Sequence, residues 1–267
     1  MSQSIVVSPG TKIKLKDYDP DYTGEYKQKK DAEKKMRDIH LQMIELQSLL
    51  YAESRRSLLI ILQAMDTGGK DGTIKHVMGG VDPQGCEVVS FKVPTPEELS
   101  HDFLWRAHKV TPGKGKIVIF NRSYYEDVLV VRVHDLVPKD VWSERYEQIN
   151  YFENCLTNNN TLILKFFLHI SKDEQKKRLE ERLKDPTKHW KISLADLKER
   201  EYWDDYMDAY NDVLTKCSTE YAPWSIIPAN KKWYRNLVIG ETIVNALKGL
   251  NMKYPEPKID VSKIKIE

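Results

Sequence analysis

The sequence predicts an α/β fold in which a parallel five-stranded sheet is flanked by helices. Three observations carry this. Short apolar runs alternate with helix-length segments along most of the 267 residues. Those runs are nearly continuous in apolar residues rather than alternating, as strands covered on both faces require. No internal repeat or low-complexity tract breaks the alternation, so a single domain over residues 26–250 is expected, with an N-terminal arm at 1–25 and a tail at 251–267.

The elements follow in order. Residues 1–25 hold Pro9, Gly10, Pro20 and Gly24 with little periodicity and read as an arm on the surface. From Tyr26 to Arg55 the residues Met36, Ile39, Met43, Leu46 and Leu50 step by three and four, which makes one apolar helical stripe. A stripe this short favours packing on the domain over a coiled-coil contact. Ser57–Leu62 is a buried strand, and Asp71–Met78 a helix. Glu87–Phe91 is a second strand, and Pro96–Lys109 a helix that opens with acids, as the helix dipole prefers. Lys116–Phe120 is the third strand. Pro138–Leu156 is a helix with proline at its start. Thr161–Ile170 is the fourth strand. Ser171–Lys184 is a charged helix with a capping box of Ser171 and Glu174. Leu194–Lys216 is a further helix, Ser225–Pro228 the fifth strand, and Trp233–Lys248 a closing helix ended by Gly249. The tail after Asn251 holds two prolines and alternating charges, and poor order is expected there.

Composition narrows the function. Lysine and arginine total 42 against 40 acids, a net charge of +2, so any polyanion site must be local. Cys86, Cys155 and Cys217 have no CxxC spacing and are odd in number, which argues against a zinc or disulfide framework and suits a reducing compartment; each reads as a small buried apolar residue. Met1–Gly10 lacks the charged start and apolar core of a signal peptide. The longest clean apolar run, Leu58–Leu62, is far too short to span a bilayer, so a cytoplasmic protein with no membrane partner is expected.

The most informative stretch is Ala64-Met-Asp-Thr-Gly-Gly-Lys70-Asp-Gly-Thr73, which leaves the first strand and opens a helix. That is the setting of a P-loop. Gly68, Gly69 and Gly72 let backbone N–H groups converge, the helix N-terminus adds its positive end, and Lys70 adds a full charge; Asp71 and Thr73 complete the phosphate-binding segment. The first position is Ala64 rather than glycine, and Asp71 stands where a serine or threonine usually holds Mg²⁺. Asp66 within the loop repels phosphates unless a cation lies between, which makes it a metal ligand or an acceptor-orienting group.

A second site follows the third strand, at Asn121-Arg122-Ser-Tyr-Tyr-Glu126-Asp127. Parallel α/β sheets place active sites at such strand ends. Arg122 is suited to charge on a transferring phosphoryl group. Glu126 and Asp127 are either metal ligands or the acidic first turn of a helix. Between Lys176 and Lys191 seven lysines and arginines face three acids. Arg178 and Arg182, four apart, share a helix face there. Beside a phosphate site this charge reads as a polyanion track and a basic helical lid at about 178–200. The near-neutral chain argues against a nucleic-acid partner, and the seven histidines form no metal motif.

Together these motifs resemble the polyphosphate kinase 2 family. The residues that carry the resemblance are Ala64–Gly72, Phe91-Lys-Val-Pro-Thr95, Phe120–Asp127, Lys176-Lys-Arg178-Leu through Lys188-His-Trp190-Lys, and Pro228-Ala-Asn-Lys-Lys-Trp-Tyr-Arg235-Asn, in order over residues 30–250. Asn121 and Glu126 make the chain most similar to class III members. The resemblance implies a thymidylate-kinase-like P-loop kinase fold and transfer from inorganic polyphosphate to adenine or guanine nucleotides, carrying AMP to ADP and ADP to ATP. It implies Mg²⁺ as cofactor, with Mn²⁺ an alternative, and a homo-oligomer, dimer or tetramer. On this reading Asp66, Lys70, Arg122, Arg178 and Arg182 are catalytic. Lys188, Lys191, Lys231 and Arg235 guide polyphosphate. Lys92, Arg106, Asn121 and Glu126 meet the nucleotide, and Asp66 with Glu126 or Asp127 holds the metal. An ATP-dependent nucleoside monophosphate kinase, a non-turnover phosphate sensor and a nucleic-acid binder are the rival readings.

Overall fold

The computed structural model describes residues 5–261 and residue 264. The predicted parallel strands are all present: β2 (Ser57–Gln63), β3 (Cys86–Ser90), β4 (Ile117–Asn121), β5 (Thr161–His169) and β6 (Trp224–Pro228). A sixth, β1 (Ile5–Val6), comes from the arm and pairs antiparallel with β6, giving the order β1-β6-β5-β2-β4-β3. The phosphate-loop strand β2 is therefore central. Its neighbours β4 and β5 run parallel to it, with Leu62 opposite both Asn121 and Phe166. β3 is an open edge, and it departs from the doubly covered pattern: Glu87, Val88 and Ser90 are exposed.

Ten helices cover the sheet among the described residues. α1 (Lys29–Glu53), α2 (Lys70–Val77) and α10 (Lys232–Gly249) pack together, with Ile39, Met43 and Leu50 of the predicted stripe buried. α5 (Val130–Val133), α6 (Lys139–Asn158) and α9 (Trp203–Lys216) form a second group. α3 (Pro96–Leu99) and α4 (Trp105–His108) replace the single helix expected at 96–109. α7 (Lys172–Lys184) leads into a 3₁₀ segment at Pro186–Lys191, then α8 (Leu194–Glu199), so the helix expected at 194–216 is divided by a further 3₁₀ turn at Arg200–Tyr202.

Caps explain the boundaries. Gln28 and Asp31 form a reciprocal box at the start of α1, and Ser54 in the left-handed region (φ 50°) ends it. The box expected at Ser171 is half formed: its hydroxyl accepts from the Glu174 N–H, but the Glu174 carboxylate turns to Arg178 instead. α10 runs through Gly249, and the left-handed residue is Asn251 (φ 49°). Of the cysteines only Cys217 is buried; Cys155 is exposed on α6, the reverse of its expected burial.

The arm is fastened along α9. Ile13 and Leu15 are buried, and their N–H groups donate to Thr215 Oγ1 (2.9 Å) and Asn211 Oδ1 (2.8 Å). Inside the core, Lys165 of β5 and Glu153 of α6 make a fully buried ion pair at 2.5 Å. Glu153 Oε1 also accepts from the hydroxyls of Tyr124 (2.9 Å) and Tyr125 (2.8 Å), which ties the turn after β4 to the centre of the sheet. After Asn251 the tail through residue 261 forms no α-helix or strand; residues 1–4 of the arm, and 262–263 and 265–267 of the tail, lie outside the described residues.

Candidate active site

The site is assembled at the C-terminal ends of β2 and β4, where two adjacent parallel strands release their chains into one crevice. The loop after β2 makes a tight reversal. A Cβ on Gly68 would sit 2.5 Å from that of Ala64 and 2.8 Å from the Met65 carbonyl, so no side chain fits. Gly69 adopts φ 102°, and Thr67 is held at φ 60°. Lys70 begins α2, and its Nζ donates to the Ala64 carbonyl at 3.0 Å. Burial, followed by the repulsion of Arg122, lowers its pKa to about 8.

Two guanidinium groups back this loop. Arg178 of α7 is buried and reaches Thr67 O (3.1 Å), Gly68 O (3.0 Å), Ala229 O (2.6 Å) and Asn230 O (3.1 Å), while its Nε donates to Glu174 at 2.7 Å. It is thus a buttress that fixes the loop's carbonyls. Arg235 of α10 lies against Gly69 and Gly72 and donates to Asn236 Oδ1 at 2.8 Å. Among the described residues it has no carboxylate partner. Burial, then the nearby Arg178, pulls its pKa down to about 9. A buried cation in that state favours an incoming anion.

Arg122, at the tip of β4, joins the two motifs. Its N–H donates to Leu62 O at 3.1 Å, which draws it into the left-handed region at φ 61°, a conformation uncommon for a large side chain. Its guanidinium pairs with Asp66 and lies 3.5 Å from Glu126. Burial opposes its charge, but Glu126 and Asp66 outweigh that and raise its pKa. Gln63 donates to Glu126 at 3.2 Å, which orients that carboxylate, and Gln175 donates to the Asp66 carbonyl at 2.9 Å, which anchors the loop backbone there.

Asp66 and Glu126 therefore both face the Arg122 guanidinium, each on a different nitrogen. Asp127 does not join them. It is buried between Arg145 (3.3 Å) and Arg106 (3.7 Å), and burial pushes its carboxyl up to about 6 against the pull of those two arginines. Among the described residues no three His, Cys, Asp or Glu side chains form a metal cage. Two carboxylates suit Mg²⁺, which dehydrates reluctantly and takes its remaining oxygens from phosphate and water.

A cleft of about 680 Å³ opens over these groups. Of the residues singled out in the sequence, Asp66, Gly68 to Gly72, Lys92, Asn121, Arg122, Arg178, Arg182, Lys188, Lys191 and Arg235 line it. Asn121 donates to Asp71 at 2.7 Å, and Lys191 approaches Asp71 at 3.9 Å, which brings the basic segment down onto the loop. Arg182 donates to the Lys191 carbonyl at 3.3 Å and faces Asp196 at 3.7 Å. Glu126 and Asp127, placed above, do not line it, and three more lie elsewhere. Thr73 turns its hydroxyl back to Gly69 O (3.1 Å). Arg106 packs on the Phe91 ring and donates to Lys92 O (2.9 Å). Lys231 points to Asp21 at 3.3 Å. Its neighbour Lys232 takes the cleft position, paired with Glu181 at 3.5 Å. His76, Glu181, Trp190 and Asp196 were given no site role; each lies in a helix or charged run whose facing depends on tertiary packing.

Residues 26–255 match the family described as polyphosphate kinase 2. The chain is 52% identical over 262 residues to the AMP/ADP-polyphosphate phosphotransferase of Meiothermus ruber, covering 98% of each chain. It is 46% identical to the ADP-polyphosphate phosphotransferase of Rhodopseudomonas palustris, over 94% of this chain and 91% of that one. Its fold superposes on the crystal structure of polyphosphate kinase 2 from Arthrobacter aurescens TC1 with a TM-score of 0.92 and 48% identity, covering 96% of this chain and 92% of that one.

Proposed function

The chain belongs to the polyphosphate kinase 2 family, and from that premise we propose that it transfers phosphoryl groups from inorganic polyphosphate to nucleoside mono- and diphosphates, carrying AMP to ADP and ADP to ATP. The observation that supports this most is the meeting of Lys70, Arg122 and Asp66 in one cleft with an excess of basic side chains.

In the proposed reaction the P–O bond to the terminal phosphoryl group of the chain breaks, and a new P–O bond forms to a terminal phosphate oxygen of the acceptor. Polyphosphate leaves one unit shorter. The acceptor oxygen is already ionised at neutral pH, since the second phosphate pKa is about 6, so no general base is needed. Catalysis then rests on position and charge. Lys70 and the loop N–H groups hold the reacting phosphates. Arg122 offsets charge on the transferring group, with Arg182 reaching in from α7, and Arg178 keeps the loop in shape. Lys92 and Asn121 stand on the acceptor side. Asp66 and Glu126 are the residues that would hold Mg²⁺. Bound there, the metal would supply positive charge to offset that of the phosphates.

The reading carries with it a cytoplasmic site of action and a homo-oligomer. Among the described residues no helix is long and apolar enough to cross a membrane. Leu41, Ile44 and Tyr51 on the outer face of α1 and Val88 on open-edged β3 are exposed apolar surface for self-association.

The deciding experiment incubates purified protein and Mg²⁺ with long-chain polyphosphate and either AMP or ADP, and separately with ATP plus AMP. ADP and ATP growing only with polyphosphate is the expected result. Turnover only with ATP as donor would make the protein an ordinary nucleotide kinase, and binding without turnover would make it a sensor.

A further inference from the structure

A long polyphosphate extends well beyond its reacting end, and the surface holds a second cavity suited to its far part. This cavity, of about 270 Å³, lies between α1 and α10. His76, near the end of α2, lines both it and the phosphate cleft. The two also share a wall. Arg235 faces the cleft, and its Nε and Nη2 donate to Oδ1 of Asn236, which lines the second cavity.

Beside apolar Ala32 and Met36, the lining carries cations and N–H donors in excess of acids. Lys29 and Arg37 are exposed cations on α1, and His40 reaches the His76 carbonyl at 2.6 Å. The Trp233 indole has a donor and no acceptor, and the Asn236 amide adds N–H groups. Among the described residues that line the cavity, Glu33 is the sole carboxylate. Elsewhere on α1, Lys35 is satisfied by Glu241 at 2.5 Å; among the described residues neither Lys29 nor Arg37 has an ion-pair partner. Two helical turns separate them, about 12 Å at 1.5 Å per residue, so they act on different units of an extended ligand.

We propose that this cavity is a distal subsite for linear polyphosphate. With the reacting end at Lys70, the chain passes His76 and the Arg235–Asn236 wall, and its far phosphates meet Lys29 and Arg37. The proposal rests on the polyphosphate reading of the cleft. A donor of three phosphates is accommodated by the cleft alone, so the subsite discriminates by chain length.

The test is a Lys29→Ala/Arg37→Ala double variant, whose exposed positions leave the fold unchanged, as thermal unfolding will verify. The KM for long-chain polyphosphate should rise about tenfold, the sum of two exposed charge contacts of under 1 kcal/mol each. The KM values for tripolyphosphate and for AMP should stay at the wild-type level. An unchanged long-chain KM, or an equal rise for tripolyphosphate, would overturn the subsite. A rise confined to AMP would assign the cavity to the nucleotide and also overturn it. Titration of long-chain polyphosphate without nucleotide separates this idea from the reaction assigned above. If the wild type binds the chain but does not transfer from it, the reaction fails while the ratio of wild-type to variant affinity still decides the subsite. If the wild type binds no polyphosphate, both fail.

Discussion

Because burial and Arg122 pull the Lys70 pKa down to about 8, the folded chain holds this proton less tightly than the unfolded chain, whose lysine titrates near 10.5. The sign of the consequence follows. Below about pH 8 both states carry the proton, and the charge destabilises the fold in full. Between about 8 and 10.5 the unfolded state binds more protons, so the penalty fades as pH rises. Lys70→Met should therefore raise the Tm at pH 7, and the gain over wild type should shrink at pH 10. The same variant should lose about a thousandfold or more in turnover, as loss of a transition-state cation does. Thermal unfolding at the two pH values checks the first claim; a variant less stable than wild type at pH 7 would show that the Ala64 contact outweighs the buried charge. Arg235 obeys the same logic, with its pKa lowered to about 9 by burial and Arg178. The loop thus holds cations the fold would rather lose and a phosphate chain would stabilise.

At the scale of elements, the turn after β4 depends on chemistry well away from the cleft. Glu153 and Lys165 are each completely buried, and they fix Tyr124 and Tyr125 two and three residues beyond Arg122. Removing one partner leaves an uncompensated buried charge, so Lys165→Met should cost about 3–5 kcal/mol. Glu153→Gln/Lys165→Met should recover part of that loss in denaturant unfolding; additive losses would mean that the pair is not the unit. None of this was legible in the sequence. A lysine in the middle of Thr161–Ile170 signals something unusual, but its partner lies on α6 and no local pattern names it. The parallel strands and the phosphate loop were legible because each is written in contiguous residues. β1 was not, since two residues carry no periodicity. The same limit explains the site. Lys231 caps α10 in an extended conformation while Lys232 opens the helix, and Glu126 and Asp127 are successive residues of a 3₁₀ turn with about three residues per turn, so Lys232 rather than Lys231 faces the cleft and Glu126 rather than Asp127 meets Arg122. Arg178 and Arg182 share a face as predicted, yet the former is spent on the loop's carbonyls and the latter reaches Lys191.

Across the whole molecule the charge is divided rather than spread. The chain carries a net charge of only +2, whereas nine lysines and arginines against four carboxylates line the cleft. The rest of the surface is therefore slightly acidic, and the field converges on one place. A concave, like-signed site of this kind concentrates a polyanion by long-range attraction, and salt weakens that attraction because the screening length is about 10 Å at 0.1 M. The two substrates sample the field differently. On the proposed reading a long polyphosphate would cross the whole basic cleft, from Lys188 and Lys191 to Lys232, while AMP would bring one phosphate to one end of it. Raising NaCl from about 50 to 500 mM should thus increase the KM for long-chain polyphosphate by roughly tenfold or more, by the counterion release that governs polyanion binding. The KM for AMP should change about threefold at most. Equal sensitivity of the two would place the acceptor, rather than the donor, along the basic track, and would reverse the polarity assigned to the cleft.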